Sequence, residues 1–469
     1  MMNKAATAQV NGAFIAAIVA VATIGGFMFG YDSGVINGTQ DGLERAFNLS
    51  ALGTGFNVGA ILLGCAAGAY FAGRLADLIG RRSVMMLAAV LFVLSAIGTG
   101  AAGSSAIFIL ARFVGGLGVG AASVISPVYI SEVTPARSRG RLSSIQQIMI
   151  IIGLTGAFVA NYVLASTAGG STADLWFDIP AWRWMFWMQV IPAAIYFLSL
   201  QFIPESPRWL VMKGREREAE EILARLFGAG EAARKRAEIA QSLATDRRPR
   251  LSDLLDRPGG RIRPIVWTGI GIAVFQQFVG INVVFYYGSV LWQSVGFSED
   301  DALKINILSG SLSIFACFLA IAVIDRLGRK PLLLIGSAGM FVSLAAMVAC
   351  FSTAVLVDGQ LALSDRVGLT ALVAANLYVV FFNGSWGPVM WVMLGEMFPN
   401  QIRGSALAVA GFAQWMANFL VSVTFPALAA GVGLAITYSL YAASALISFF
   451  FVRAMVRETR GRELEDMEG

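Results

Sequence analysis

The chain has no histidine. Histidine proton relays are therefore excluded, and so is most zinc chemistry, which relies on imidazole ligands. The three cysteines, Cys65, Cys317 and Cys350, each lie inside an apolar run. They lack Cys-x-x-Cys or ligand spacing, so no disulfide, metal or other cofactor is expected. Charge is also scarce. Only 13% of residues are Asp, Glu, Lys or Arg, against about 25% in an ordinary soluble domain. No pair of catalytic carboxylates and no nucleophile motif stands out, which argues against an intramembrane enzyme.

What the chain has instead is apolar length. Of 469 residues, 57% are hydrophobic, and the mean hydropathy is +0.71. No soluble core absorbs that much apolar surface, so lipid must be the solvent for most of the chain. A membrane-spanning helix needs roughly 20 apolar residues. Runs of that length predict helices near 11–31, 52–75, 83–103, 106–131, 141–165 and 183–203. Six more follow near 264–295, 303–325, 331–354, 367–396, 403–430 and 433–455. The first run follows a single lysine, Lys4, and has no clear cleavage site, so it reads as a span and not a leader. The expected fold is an all-α membrane protein of twelve transmembrane helices in two six-helix bundles. The bundles cover 1–203 and 263–456, with a helical linker at 204–262 and a tail at 457–469.

The positive charge is sorted by side. With the N-terminus inside, the outer loops hold Arg45, Arg183, Lys304 and Arg366, and Arg112 lies within a span. All other Lys and Arg fall on the inner side, and the outer loops carry acids such as Asp41, Glu44, Glu299 and Asp365. This bias places both termini in the cytoplasm. It also accounts for the net charge of +5 without nucleic acid. In the linker, 215–228 places Ala219, Ile222, Leu223, Leu226 and Phe227 on one helical face. Glu221 and Arg225 are spaced for an ion pair. A second charged helix is expected over 231–244, broken by Arg247, Arg248, Pro249 and Arg250.

The halves repeat. Asp77-x-x-Gly80-Arg81-Arg82 matches Asp325-x-x-Gly328-Arg329-Lys330, and Glu132 with Arg139-Gly140 matches Glu396 with Arg403-Gly404. Repeated bundles are how many carriers alternate access around a central site. Taken singly, these are ordinary positive-inside charges. Repeated in order, they read as a charge network at the inner helix ends, in which pairs such as Glu132 with Arg139 or the Arg81–Arg82 turn hold the two halves together when the site faces outward and break when it opens inward.

Polar residues inside spans are costly and therefore informative. Asp32 either caps the outer end of the first span or pairs with Arg112 as a proton site. Further along lie Gln146 and Gln147, the run Gln276-Gln277-Phe278-Val279-Gly280-Ile281-Asn282, then Tyr286 and Tyr287. The tenth and eleventh spans add Asn383-Gly384-Ser385-Trp386-Gly387-Pro388, Trp391, Gln414-Trp415 and Asn418. One amide alone reads equally well as interhelical glue, and each tryptophan as packing. Together they make a set of amides and indole rings without clustered charge. That mix suits neutral sugars, with amides meeting hydroxyls and aromatic faces covering C–H surfaces.

At these residues the sequence resembles the sugar porter family of the major facilitator superfamily. The matching pieces are GRLADLIGRR, RGRLSSIQQ, PESPRWL (204–210), QQFVGIN (276–282), DRLGRKP, WGPVMW (386–391) and ETRGRELEDME (458–468). They run across essentially the whole chain in family order. The resemblance implies alternating access and a monosaccharide bound by Gln147, Gln276, Gln277, Asn282, Trp391, Gln414 and Trp415. It implies that Asp32, paired with Arg112, is where proton-coupled relatives carry the proton. An inner charge network of Asp77, Arg81, Arg82, Glu132, Arg139, Glu205, Asp325, Arg329, Glu396, Arg403 and Glu458 goes with it. Two positions depart from the family pattern. Ser313 stands where many relatives have asparagine, and the tail reads Arg457-Glu458-Thr459 in place of Pro-Glu-Thr.

The expectation is a proton-linked monosaccharide importer of a bacterial-type inner membrane, sufficient as a monomer. An uncoupled facilitator is the alternative. A non-transporting sensor would be expected to add a long signalling tail, whereas about a dozen residues follow the last span here.

Overall fold

A computed structural model describes residues 11–245, 251–255, 260–357, 360–399 and 401–460. Lipid offers no partner for backbone N–H and C=O groups, so apolar runs close their hydrogen bonds locally as helices. Among the described residues, eleven helices are long and apolar enough to cross a membrane. Spans one to five run over Gly12–Val35, Ala51–Ile79, Arg81–Ala101, Ser105–Val133 and Ala136–Ala168. Spans eight, nine, eleven and twelve run over Glu299–Leu327, Arg329–Ser352, Arg403–Val432 and Leu434–Met455.

Three spans are broken. The sixth, expected over 183–203, consists of Ala181–Trp187 and Val190–Leu200. Pro192 has no N–H to give to the carbonyl one turn back. The ladder tightens instead, with Gln189 N bonded to Phe186 O at 3.1 Å and Ile191 N to Met188 O at 3.2 Å. The seventh is Pro264–Phe278 followed by Ile281–Gln293, parted at Gly280, whose φ is +84°. The tenth is Asp365–Asn383 followed by Trp386–Met397, parted at Gly384 and Ser385. Two short antiparallel hairpins, Asp174–Trp176 with Ile179–Pro180 and Val355–Val357 with Gln360–Ala362, sit in loops between spans.

Among the described residues the linker forms three α-helices, Pro207–Met212, Glu216–Phe227 and Ala229–Thr245, and a 3-10 turn at Leu251–Leu254. The expected face of the middle helix is inward: Ala219, Leu223, Leu226 and Phe227 are buried. Arg225 does not pair with Glu221. It lies 4.4 Å over the Phe14 ring, and Asn11 N bonds to Leu226 O at 3.1 Å. The linker thus docks at the start of the first span. The expected break at Arg247, Arg248, Pro249 and Arg250 lies outside the described residues, as does the tail beyond 460.

The first six spans and the last six meet along span two on span eleven and span five on span eight. Small residues set the distance. A Cβ on Gly55 would lie 2.2 Å from the Val423 carbonyl oxygen, and one on Gly310 would lie 2.6 Å from Thr155 Oγ1. Inside the first half, a Cβ on Gly30 would lie 1.7 Å from Ile150 O, so spans one and five touch backbone to backbone. The halves also share hydrogen bonds at the ends opposite the Asp77 and Asp325 turns. Asn37 is the centre of these. Its Nδ2 donates to Phe285 O (2.9 Å), and its Oδ1 accepts from Ser289 N (3.1 Å) and Asn306 Nδ2 (2.7 Å). Gln40 Nε2 reaches Tyr286 O at 3.3 Å and Gln293 Nε2 reaches Asp41 Oδ2 at 3.0 Å. Glu299 Oε1 accepts from Ser171 N at 2.9 Å. These bonds tie the two halves together at this far end.

Gly30→Ala has to force two backbones apart, which costs about 1–3 kcal/mol. The melting temperature in detergent should fall by several degrees. Gly73→Ala, whose added Cβ meets nothing within 4 Å, should leave it unchanged.

Candidate functional site

The break in span seven builds an amide cluster. Gln276 and Gln277 end the first segment and Asn282 opens the second, with Gly280 turning the chain between them. Gln276 is the hub. Its Nε2 donates to Trp386 O at 3.2 Å. Its Oε1 accepts from Gln277 Nε2 at 3.1 Å and from Gln414 Nε2 of span eleven at 2.7 Å. Asn282 Nδ2 donates to Gln277 Oε1. Four of the residues expected to contact solute therefore form one connected set. Each amide carries both donors and an acceptor, so the set can exchange internal bonds for bonds to hydroxyls without stranding a buried polar group.

The other expected contacts lie around it. Trp415 is buried, with its ring 5.7 Å from that of Phe29 on span one, so the pair bridges the halves. Gln147 is half-buried on span five and bonds to none of the cluster among the described residues. Its neighbour Gln146 turns toward span one, where a Cβ on Gly26 would meet its amide at 2.9 Å. Trp391 is 42% exposed, and a Cβ on Gly411 would lie 3.8 Å from its ring. Trp386 is structural: its indole N–H bonds to Leu333 O (3.1 Å) and Ser337 Oγ (3.0 Å). Asn418 Nδ2 reaches Tyr286 OH at 3.4 Å. Ser313 Oγ accepts from Asn383 Nδ2 at 3.1 Å. An asparagine amide does reach that point, from span ten and not from span eight.

Asp32 does not cap a helix at the surface. It is 1% exposed, as is Arg112, and Arg112 Nη1 lies 2.9 Å from Asp32 Oδ1. Breaking a buried pair of this kind typically costs about 3–5 kcal/mol, because one charge is left uncompensated. The pair is incompletely satisfied: Asp32 Oδ2 and Arg112 Nε have no hydrogen-bond partner. Gln189, at the break in span six, is buried beside Asp32, and neither of its polar atoms has a partner of hydrogen-bond geometry. Gln189, Asn37 and Phe29 were not singled out from the sequence. A lone glutamine or asparagine in an apolar run was the available signal.

At the other end, the repeated motifs build the same lattice twice. In the first half, Arg81 bonds Glu132 through Nε (3.1 Å) and Nη2 (3.2 Å), and Asp77 through Nη1 (3.1 Å). Glu132 also accepts from Ser206 Oγ at 2.5 Å. Glu205 caps span three, accepting from the backbone N–H of Arg81 (2.9 Å), Arg82 (3.1 Å) and Ser206 (2.8 Å). Arg82 Nε reaches Leu200 O at 2.8 Å. In the second half, Arg329 bonds Glu396 through Nε (3.0 Å) and Nη2 (2.8 Å), and Asp325 at 2.9 Å. Thr459 Oγ1 donates to Glu396 at 2.6 Å. Glu458 caps span nine from the N–H groups of Arg329 (3.0 Å) and Lys330 (2.9 Å). Glu205-Ser206 and Glu458-Thr459 are thus a third repeated element. These ion pairs join helices of the same half and do not tie the two halves together as expected, because each arginine turns back onto the acids of its own bundle. Arg403 donates to Phe398 O at 3.2 Å, and the side chain of Arg139 lies outside the described residues.

The two caps differ in the direction in which their carboxyls are shifted. Burial pushes the Glu205 carboxyl above its ordinary value, more than its backbone donors lower it. At Glu458 burial pushes the same way, but the N–H groups of Arg460, Arg329, Lys330 and Thr459 outweigh it and hold the carboxyl below its ordinary value.

A family model described as "Sugar (and other) transporter" matches residues 18–469. The chain belongs to the sugar porter family of the major facilitator superfamily. The glucose transport protein of Synechocystis is 50% identical over 458 residues, covering 97% of each chain. The D-xylose-proton symporter of Escherichia coli K12 is 37% identical, covering 98% of this chain and 96% of its own. Among solved structures, the inward open conformation of the E. coli xylose transporter XylE superposes with a TM-score of 0.83 at 35% identity. It covers 97% of this chain and 99% of that one. XylE bound to 6-bromo-6-deoxy-D-glucose superposes at 0.78.

The lowered Glu458 carboxyl stabilises the fold above its ordinary value of 4.5. That contribution is lost as pH falls through the depressed folded value. Glu458→Gln should therefore melt slightly earlier than the parent at pH 7, by an amount equivalent to about 0.3–0.5 kcal/mol once solvent screening of this partly exposed carboxylate is allowed for. In melting curves taken from pH 7 downward, the gap should shrink below pH 4.5.

Proposed function

We propose that this sugar porter imports a monosaccharide, hexose or pentose, together with a proton. In this reading the charge-lattice end and both termini face the cytoplasm of a bacterial inner membrane. The observation that carries it is the pairing of a neutral amide cluster at a broken helix with a buried Asp32–Arg112 pair in the opposite half. The cluster has donors and acceptors for hydroxyls and no charge for ions. Gln147, Gln276, Gln277, Asn282 and Gln414 take the sugar hydroxyls, while Trp391 and Trp415 cover its C–H faces. The relatives named for glucose transport and for D-xylose–proton symport support this substrate class and coupling.

Coupling follows from electrostatics. With Asp32 ionised, Arg112 is held and span one is tied to span four. Protonation at Asp32 Oδ2, which lies beside Gln189, neutralises the carboxylate and leaves the Arg112 cation without its counter-ion. A proton thereby shifts the population between states that differ in how spans one and four sit. The far-end contacts at Asn37, Gln40 and Asp41 fit a carrier closed to the outside, and monomers suffice because each chain holds both halves of the site.

Gln276→Ala removes the hub amide. The half-saturation concentration for sugar should rise about ten- to hundredfold, as expected from loss of one or two buried hydrogen bonds. A sugar competition panel in proteoliposomes measures it and ranks hexoses against pentoses. Asp32→Asn should abolish accumulation against a gradient yet spare exchange of sugar at equal concentrations. Parent protein that only equilibrates sugar, with no alkalinisation outside, would establish facilitated diffusion instead.

A further inference from the structure

Two buried carbonyl oxygens in the second half are deprived of their helical partners. In span seven, Val283 N bonds to Gly280 O at 3.1 Å because of the left-handed turn at Gly280. Val279 O, whose residue is fully buried, is left over. In span eleven, Pro426 has no N–H to give to Ser422 O one turn back. A tyrosine hydroxyl meets each one. Tyr378 of span ten donates to Val279 O at 2.7 Å, and Tyr287 of span seven donates to Ser422 O at 2.7 Å. Nearby, Tyr441 packs its ring where a Cβ on Gly280 would stand, at 2.7 Å. Tyr438 lies edge-on to Tyr441 at 5.7 Å. The hydroxyls of Tyr438 and Tyr441 are buried without a partner.

The segment held this way is Ile281–Gln293. It carries Asn282 of the amide cluster. Along the same few turns it presents Phe285 O, Tyr286 O, Ser289 N and Gln293 Nε2 to the first half. Sugar contact and far-end closure therefore reside on one short helix. Tyr378 ties the turn that precedes it, at Val279, to span ten, and Tyr287 fixes its middle to span eleven. We propose that the hydroxyls of Tyr378 and Tyr287 are latches on orphan carbonyls that hold this segment in the setting that closes the far end. They are positioning residues and act through the segment, without a sugar contact of their own. Unlatched, the segment still carries Asn282 but no longer keeps its seam with Asn37 and Asp41.

The proposal takes its sidedness from the import reading above. The test uses full-length protein in right-side-out vesicles, with Cys65, Cys317 and Cys350 replaced by alanine and Ser289→Cys as the reporter. Tyr378→Phe and Tyr287→Phe should each raise the rate of labelling by an impermeant maleimide from outside about five- to tenfold. The maximal uptake rate should fall several-fold, and the melting temperature should fall by a few degrees, since phenylalanine keeps the ring but leaves a buried carbonyl without its donor. Tyr438→Phe and Tyr441→Phe should match the parent in all three. Four variants behaving alike, or Tyr378→Phe and Tyr287→Phe labelling at the parent rate, would overturn the latch. Should Tyr378→Phe fail to accumulate in the membrane, Tyr287→Phe decides alone. If the parent reporter labels only from inside, the assigned sidedness is wrong. The same comparison with a permeant maleimide still decides the latch.

Discussion

Lipid supplies no hydrogen bonds, and most of this structure follows from that. Every polar group placed in a span must find its partner in the protein, or face a cavity. Regular helices meet the condition by themselves. The breaks in spans six, seven and ten do not, and they are where chemistry collects. Gln189 beside Asp32 lies at the first, the Gln276 cluster at the second, and Trp386 with Ser385 at the third. At the seventh span the released Val279 carbonyl is met by Tyr378 of span ten, and at the tenth Gln276 of span seven reaches Trp386 O, which ties these two irregularities together.

The same constraint explains why the Asp32–Arg112 pair suits energy coupling. A buried ion pair is weak evidence for stability, since desolvation offsets much of its attraction. In the proposed symport it serves as a sensitive switch, because one proton on Asp32 leaves a buried Arg112 cation uncompensated. Closure at the far end is built from uncharged pairs around Asn37, together with Gln293 on Asp41 and Ser171 N on Glu299. Such contacts are individually modest, so they can be broken and remade in each cycle. The charge lattices behave differently. Glu132, Arg81 and Glu205 lock three elements of one half, and Glu396, Arg329 and Glu458 lock three of the other. Each half is stiffened as a unit and can move as one.

Much was legible in the chain itself. Apolar length and the sorting of Lys and Arg determined the number of spans, the linker and the expected sidedness, since these depend only on transfer of residues between water and lipid. The repeat of Asp77 and Asp325, and of Glu132 and Glu396, was visible because helix and turn spacing is local. The inventory of amides and indoles pointed to a neutral hydroxylated solute. Pairing between helices was decided by the tertiary structure alone. It made Gln276 a hub, left Gln147 apart, and turned Gln146 toward Gly26. It showed that Glu205 and Glu458 are equivalent caps, and that Asn383 brings an amide to Ser313. It also put the hydroxyls of Tyr378 and Tyr287 on carbonyls ninety-nine and one hundred thirty-five residues away in sequence. The reason is geometric: periodicity tells which face a residue occupies on its own helix, but only packing tells which helix that face meets.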